Sequence, residues 1–114
     1  MNIGKELREK MDILELERPN LRCLNVVVAK DQISSDLGEE VVILNLRTGV
    51  YHGLNAVGAR IWNLLQESRT VKDIKDVILN EYDVEPDCCE SDLLVLLQKL
   101  ADEGLIEVRN ETAA

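Results

Sequence analysis

The chain has no Phe, one Trp and two Tyr, so whatever core it builds must be aliphatic. It has a single histidine, His52, and no Ser or Cys close by in sequence that could form a nucleophile–base pair with it. Its three cysteines, Cys23, Cys88 and Cys89, are odd in number and include an adjacent pair, which excludes a disulfide framework. No CxxC or Cys/His cluster has the spacing of a tetrahedral metal site. The acids between Asp76 and Asp92 lack the central Gly of a calcium-binding loop. GxGxxG, GxxxxGK[ST] and GxSxG are all missing. No apolar run approaches the roughly 20 residues that span a bilayer, and the N-terminus has no apolar h-region of a secretory signal. These absences point away from an enzyme, a metal site, a cofactor and a membrane protein, and they make the cytoplasm the expected compartment.

Positive charge is also scarce where it would matter most. The net charge is −9, and residues 1–22 balance five Lys/Arg against five Asp/Glu, so the whole excess lies in residues 23–114. From Asp76 to Gln98 there are seven acids and no Lys or Arg. Such a surface repels a phosphate backbone.

What is present is pattern. At 114 residues the chain fits one domain, expected over residues 23–109. Residues 1–22 read as an extension, mobile or helical, closed by Arg18-Pro19, and residues 110–114 as a frayed tail. "LNVVVAK" (24–30) and "VVILNL" (41–46) are β-branched or aliphatic and short, as strands are. "DQISSDLGEE" between them reads as a loop. Arg47-Thr48-Gly49 makes a short hairpin connection with Gly where positive φ is needed, and "VYHGL" (50–54) returns as a third strand. A three-stranded antiparallel meander is the expectation.

Helices follow. Asn55 is placed to N-cap a helix whose buried face is Val57, Ile61, Leu64 and Leu65. Gly58 and Ala59 near its start suggest a close neighbour. Thr70 with Asp73 reads as a capping box, and Val71, Ile74, Val77 and Ile78 give its helix a buried face. Asp87 with Glu90 opens a third helix, and Gly104 stops it. Leu93, Leu96, Leu97 and Leu100 share one face of that helix, with Leu94 and Ala101 on a flank, so its apolar surface is wider than one core stripe requires. "LIEV" (105–108) is a short C-terminal strand. The class is α+β, winged helix-turn-helix-like: a three-stranded antiparallel sheet, then three helices and a short strand.

In their order, "VVILNLRTGVYHGLNAVGARIWNLL", "TVKDIKDVILNEYDV" and "DLLVLLQKLADEGLI" resemble the PqqD family of small peptide-chaperone domains. The shared marks are a Tyr in the third strand, Leu-Asn leading into a helix, Ile-Trp within it, and a closing Leu-x-x-x-Gly-Leu-Ile. The resemblance covers about residues 24–108, and the hairpin and Gly-Leu-Asn-Ala-Val-Gly run look most like members found with lasso-peptide biosynthesis. It implies a non-catalytic recognition element that binds the leader of a ribosomally made precursor peptide and presents the core to a processing enzyme, a leader peptidase or a radical-SAM maturase. The leader would pair with the backbone of Val50, Tyr51, His52, Gly53 and Leu54. Leu94, Leu97, Gln98 and Ala101 would form the helical wall beside it, and Trp62 would pack in the core. Strand addition needs backbone and pockets rather than reactive groups, which agrees with a chain so poor in them.

Two other readings compete. The helix order is that of a winged-helix transcriptional regulator, but its third helix offers Gln98 and Lys99 among Glu90, Asp92, Asp102 and Glu103, where a reading helix needs Arg, Lys, Asn or Gln. A thiol enzyme through Cys88 and Cys89 lacks the electropositive setting that activates a thiol. Proline at His52 is expected to remove a strand donor from the binding edge. A free edge also allows an edge-paired or swapped dimer in place of a monomer.

Overall fold

The β-branched run Asn25-Val26-Val27-Val28 forms β1 (Asn25–Val28), but it does not pair with the next strands along the chain. The structure, a computed structural model, describes residues 22–109. After β1 come β2 (Gln32–Leu37), β3 (Glu40–Asn45), β4 (Tyr51–Leu54), α1 (Ala56–Leu64), β5 (Arg69–Thr70), α2 (Val71–Glu81), α3 (Pro86–Asp102) and β6 (Ile106–Arg109). The expected class stands: an α+β domain with a three-stranded antiparallel sheet, three helices and a short C-terminal strand. The expected extension at 1–22, apart from Arg22, and the tail at 110–114 lie outside the described residues.

The meander differs from expectation in its first strand. It is β2–β3–β4, with β3 central, while β1 is the middle of a second antiparallel sheet ordered β5–β1–β6. β2 is the stretch expected as a loop. Ser34, Ser35 and Asp36 hide its strand character because five of its six residues are exposed, so burial never imposes alternation. β5 has only two residues and carries no pattern at all.

The helix starts follow local chemistry. Asn55 Oδ1 accepts the Gly58 N–H at 3.0 Å, capping α1. The Thr70 capping box is complete: Thr70 Oγ1 accepts from Asp73 N at 3.1 Å, and Asp73 Oδ2 accepts from Thr70 N at 3.4 Å. Each such cap contributes about 1 kcal/mol. The third helix begins earlier than expected, at Pro86, with Glu85 at the cap and no side-chain bond. Proline is pre-set for the first helical position, where its missing N–H costs nothing. Gly104, at φ +72°, ends α3, with the Arg47 guanidinium packed where a side chain would stand.

Both sheets and all three helices meet in one aliphatic core built around Trp62, Leu24, Ile43, Leu65, Ile74 and Leu97. One charge is buried with them. Glu90 on α3 receives Lys75 Nζ of α2 at 2.8 Å and Arg22 Nη2 at 3.3 Å. Burial alone would push its carboxyl up, but these hydrogen bonds and charges outweigh that and hold it down at about 2.

Candidate functional site

Among the described residues, only one side of β4 is paired in the sheet β2–β3–β4. Its register sets Tyr51 opposite Leu44, His52 opposite Ile43, Gly53 opposite Val42 and Leu54 opposite Val41. The first cross-strand bond runs from Asn45 N to Val50 O at 3.0 Å, and Leu46 N donates to Asp31 O on the β2 side at 3.0 Å. Antiparallel pairs alternate between bonded and non-bonded. Val50, His52 and Leu54 therefore spend their backbone groups on β3, and Tyr51 and Gly53 turn theirs outward. The free edge is thus offered by Tyr51 and Gly53. Proline at His52 would break the hairpin rather than the binding edge, so the informative proline belongs at Gly53.

Beside that edge lies a cleft of about 510 Å³, walled by β4 and α1 on one side and by α3 on the other. Its floor is apolar: Leu54, Val57, Ile61, Ile78, Leu93 and Leu96. Cys88, Cys89 and Val84 close the end where α3 begins, and Asp92 and Lys99 are its charged members. Val57, expected on the buried face of α1, is 39% exposed because it faces this opening. Gly58 also lines the cleft, where an added Cβ would meet Leu54 Cβ at 3.2 Å. The close neighbour its small size suggested is the last residue of β4.

Of the strand residues expected at the site, Tyr51, His52, Gly53 and Leu54 form β4, and Val50 immediately precedes it. Val50, Tyr51 and Gly53 are exposed, and Leu54 is half-buried at the cleft. His52 points inward, its side chain 15% exposed and Nε2 3.8 Å from a Glu103 carboxylate oxygen. The helical wall is different. Leu94 and Leu97 are buried in the core, Gln98 hydrogen-bonds Asp102 at 2.8 Å, and Ala101 packs against core residues. None of the four lines the cleft. At about 100° per residue, Leu94, Gln98 and Ala101 lie roughly 140–160° round α3 from Leu96, so the expected wall is the opposite flank of the helix. The buried stripe has two flanks, and periodicity alone does not say which one meets the open edge. Asp92 and Lys99, two turns apart on one face, are the mark of the solvent-facing flank.

α2 and α3 pack together as two helices of a helix-turn-helix would, yet α3 shows Asp87, Asp92 and Asp102 to solvent. Among the described residues no group of three His, Cys, Asp or Glu could hold a metal ion, and no helix is long and apolar enough to cross a membrane.

Comparison with known proteins places this geometry. No curated protein matches the chain. Among solved structures, it is similar to TbiB1 in complex with the TbiA(beta) leader peptide, with 42% identity over 71% of this chain and 94% of that one, at a TM-score of 0.68. A lasso peptide synthetase B1 complexed with the leader peptide shares the fold, at 24% identity over 72% of this chain and 96% of that one, with a TM-score of 0.65. The model of the family described as coenzyme PQQ synthesis protein D (PqqD) matches residues 40–106, more than half of the sequence, and the chain belongs to that family.

Proposed function

We propose that this domain is a recognition element for a ribosomally synthesised precursor peptide, of the lasso-peptide type. It binds the leader as an added strand on β4 and presents the rest of the precursor to a processing enzyme, without a catalytic step of its own. The observation that carries this reading is the edge of β4 that no described strand pairs, beside an apolar cleft. It is supported by 42% identity to a chain solved with a leader peptide in place.

The chemistry is that of strand addition. Tyr51 and Gly53 each offer one N–H and one C=O to a guest backbone. Alternate guest side chains would then drop toward Leu54, Ile61, Leu93 and Leu96. Burying one leucine-sized side chain there contributes about 1.5–3 kcal/mol, so the cleft selects the sequence and the backbone supplies the register.

The test is a fluorescence-anisotropy titration of the labelled leader peptide against wild type and Gly53→Pro. An added Cβ at Gly53 meets nothing within 4 Å, so the variant has room to fold. Affinity is expected to fall at least tenfold while the melting curve stays close to wild type. A scan of backbone N-methylation along the leader leaves the protein untouched and should weaken binding at alternate residues. Full affinity in a folded Gly53→Pro, with no alternation in the scan, would rule out strand addition.

A further inference from the structure

The cleft beside β4 is apolar along its floor and carries charges of opposite sign on α3. Asp92 and Lys99 both line it, and both are exposed. Neither has an ion-pair partner among the described residues. The other cations of the three helices are committed: Arg60 to Glu81 at 2.7 Å, Lys72 to Asp76 at 2.9 Å and Lys75 to Glu90 at 2.8 Å. Lys99 is therefore the one helical cation left for a guest. Around Asp92 the opposite sign is reinforced, because Asp83, Glu85 and Asp87 before and at the start of α3 are exposed and also without ion-pair partners among the described residues. Such charges cost little while water reaches them. A guest that covers the cleft strips that water away, so it is penalised unless it brings charges of the opposite sign.

The order of those charges along a guest follows from how β4 lies against α3. His52, early in β4, has Nε2 3.8 Å from Glu103, just past the end of α3. Leu54, the last residue of β4, lines the cleft with Leu93 and Leu96, further back along the helix. β4 thus runs against α3. Every strand pair in both sheets is antiparallel, and a guest added to β4 in the same sense runs with α3, passing Asp92 first and Lys99 last. Seven helical residues separate these two by about 10.5 Å. Guest side chains on the cleft side recur every second residue, so two of them four residues apart stand about 13 Å apart. Flexible side chains take up the difference. The residue midway between them faces the apolar floor at Leu93 and Leu96.

We propose that Asp92 and Lys99 are specificity-determining residues that select a guest by the order of its charges. The accepted segment carries, from its N-terminal side, a basic residue, an apolar residue two positions on, and an acidic residue two positions further. The basic group meets Asp92, the apolar side chain fills the floor, and the carboxylate meets Lys99. A guest with the reverse order meets like charge at both places. The inference rests on the leader-binding reading and adds to it the chemistry of the segment that is read. Exposed ion pairs add little affinity one at a time, so their main effect is discrimination and register.

The test is a charge scan of the labelled leader peptide, each residue replaced in turn by Lys and by Glu. Affinities are read by anisotropy against wild type, Asp92→Lys and Lys99→Glu. Neither side chain makes a hydrogen bond that the fold needs, and melting curves of both variants should stay close to wild type. With wild type, one leader position is expected to prefer Lys over Glu by about tenfold. The position four residues further toward the C-terminus is expected to prefer Glu to a similar degree. Asp92→Lys should reverse only the first preference and Lys99→Glu only the second, and both preferences should shrink as salt is raised. Preferences that persist unchanged in both variants overturn the proposal, because the charges read then lie elsewhere. An acid-preferring position on the N-terminal side of the base-preferring one overturns the order. A folded variant that binds no peptide of the scan would show that the residue serves the cleft's shape, and would also overturn the proposal. Tight binding with no charge preference defeats this inference and leaves the leader-binding reading standing. If no peptide of the scan binds wild type, both fail together.

Discussion

Asn45 Nδ2 donates to the Glu103 carbonyl at 2.8 Å, fastening the β3–β4 turn to the C-terminal end of α3. The same side chain, 2% exposed, accepts through Oδ1 from Arg47 N at 2.9 Å and Thr48 N at 3.3 Å. One buried amide thus shapes the turn that launches β4 and fixes its distance from the helix across the cleft. It is the one neutral polar side chain in an otherwise apolar stretch of β3.

Asn45→Ala should therefore do two things. Three hydrogen bonds go, and the Glu103 carbonyl is left without its donor, which costs about 2 kcal/mol of stability. The midpoint of a urea curve measures that part. The second effect is at the site: with the hairpin no longer tied to α3, leader affinity should fall several-fold even where the domain is fully folded. Leader affinity equal to wild type in the folded variant would mean that the tie serves stability alone.

The two flanks of α3 make a sharper contrast. Leu96 is half-buried at the cleft, and Leu97, its neighbour, is fully buried. Leu97→Ala leaves a core cavity and should cost about 2–5 kcal/mol, with leader affinity near wild type in whatever fraction stays folded. Leu96→Ala should cost far less stability and weaken the leader about tenfold, because it removes part of the pocket floor. The reverse pattern would put the guest on the flank with Leu94, Gln98 and Ala101.

Much of this was legible in the residues, and the failures have causes. Asn55, the Thr70–Asp73 box and Gly104 are local signals whose chemistry is complete within four residues, and the structure has all three. The strand at 50–54 and its hairpin are equally local. β1's partners are not: β5 and β6 lie more than 40 residues away along the chain, and no local pattern encodes that pairing. β2 is polar because almost nothing buries it, so it resembles a loop. The residues expected as the helical wall, Leu94, Leu97, Gln98 and Ala101, do not line the cleft for a related reason. A wide apolar face shows that a helix is covered on more than one side, but which side is protein and which is cleft depends on where the β4 edge falls.

Acid should act through Glu90. The carboxyl is held at about 2 in the folded domain, against an ordinary value of 4.5. A depressed folded value means that the carboxylate stabilises the fold above the unfolded value, and that this contribution is lost as pH falls through about 2. Glu90→Gln should be less stable than wild type by about 3 kcal/mol at pH 7, because Lys75 and Arg22 lose their counter-charge. The gap should narrow steadily between about pH 5 and pH 2. Urea curves at pH 7, 5 and 3 measure it. A gap that stays constant across that range would mean that the network's stability does not come from the ionised carboxylate.

Cys88 and Cys89 give a readout of the cleft that requires no change to the protein. Both line its α3 end, Cys88 exposed and Cys89 buried. Burial pushes the Cys89 thiol up, against a partial opposing effect of the Lys75 charge, and only a thiolate reacts. Cys89 should therefore label far more slowly than Cys88 with a maleimide at pH 7.5, and raising the pH should speed it. A guest strand that fills the cleft from Leu54 to Leu93 would cover Cys88 as well. Saturating leader should slow Cys88 at least fivefold and leave Cys23, which does not line the cleft, unchanged. Mass spectrometry of the labelled peptides separates the three sites. Equal slowing of Cys23 and Cys88 would point to a global tightening of the domain, and no slowing of Cys88 would mean that the leader stops short of this end.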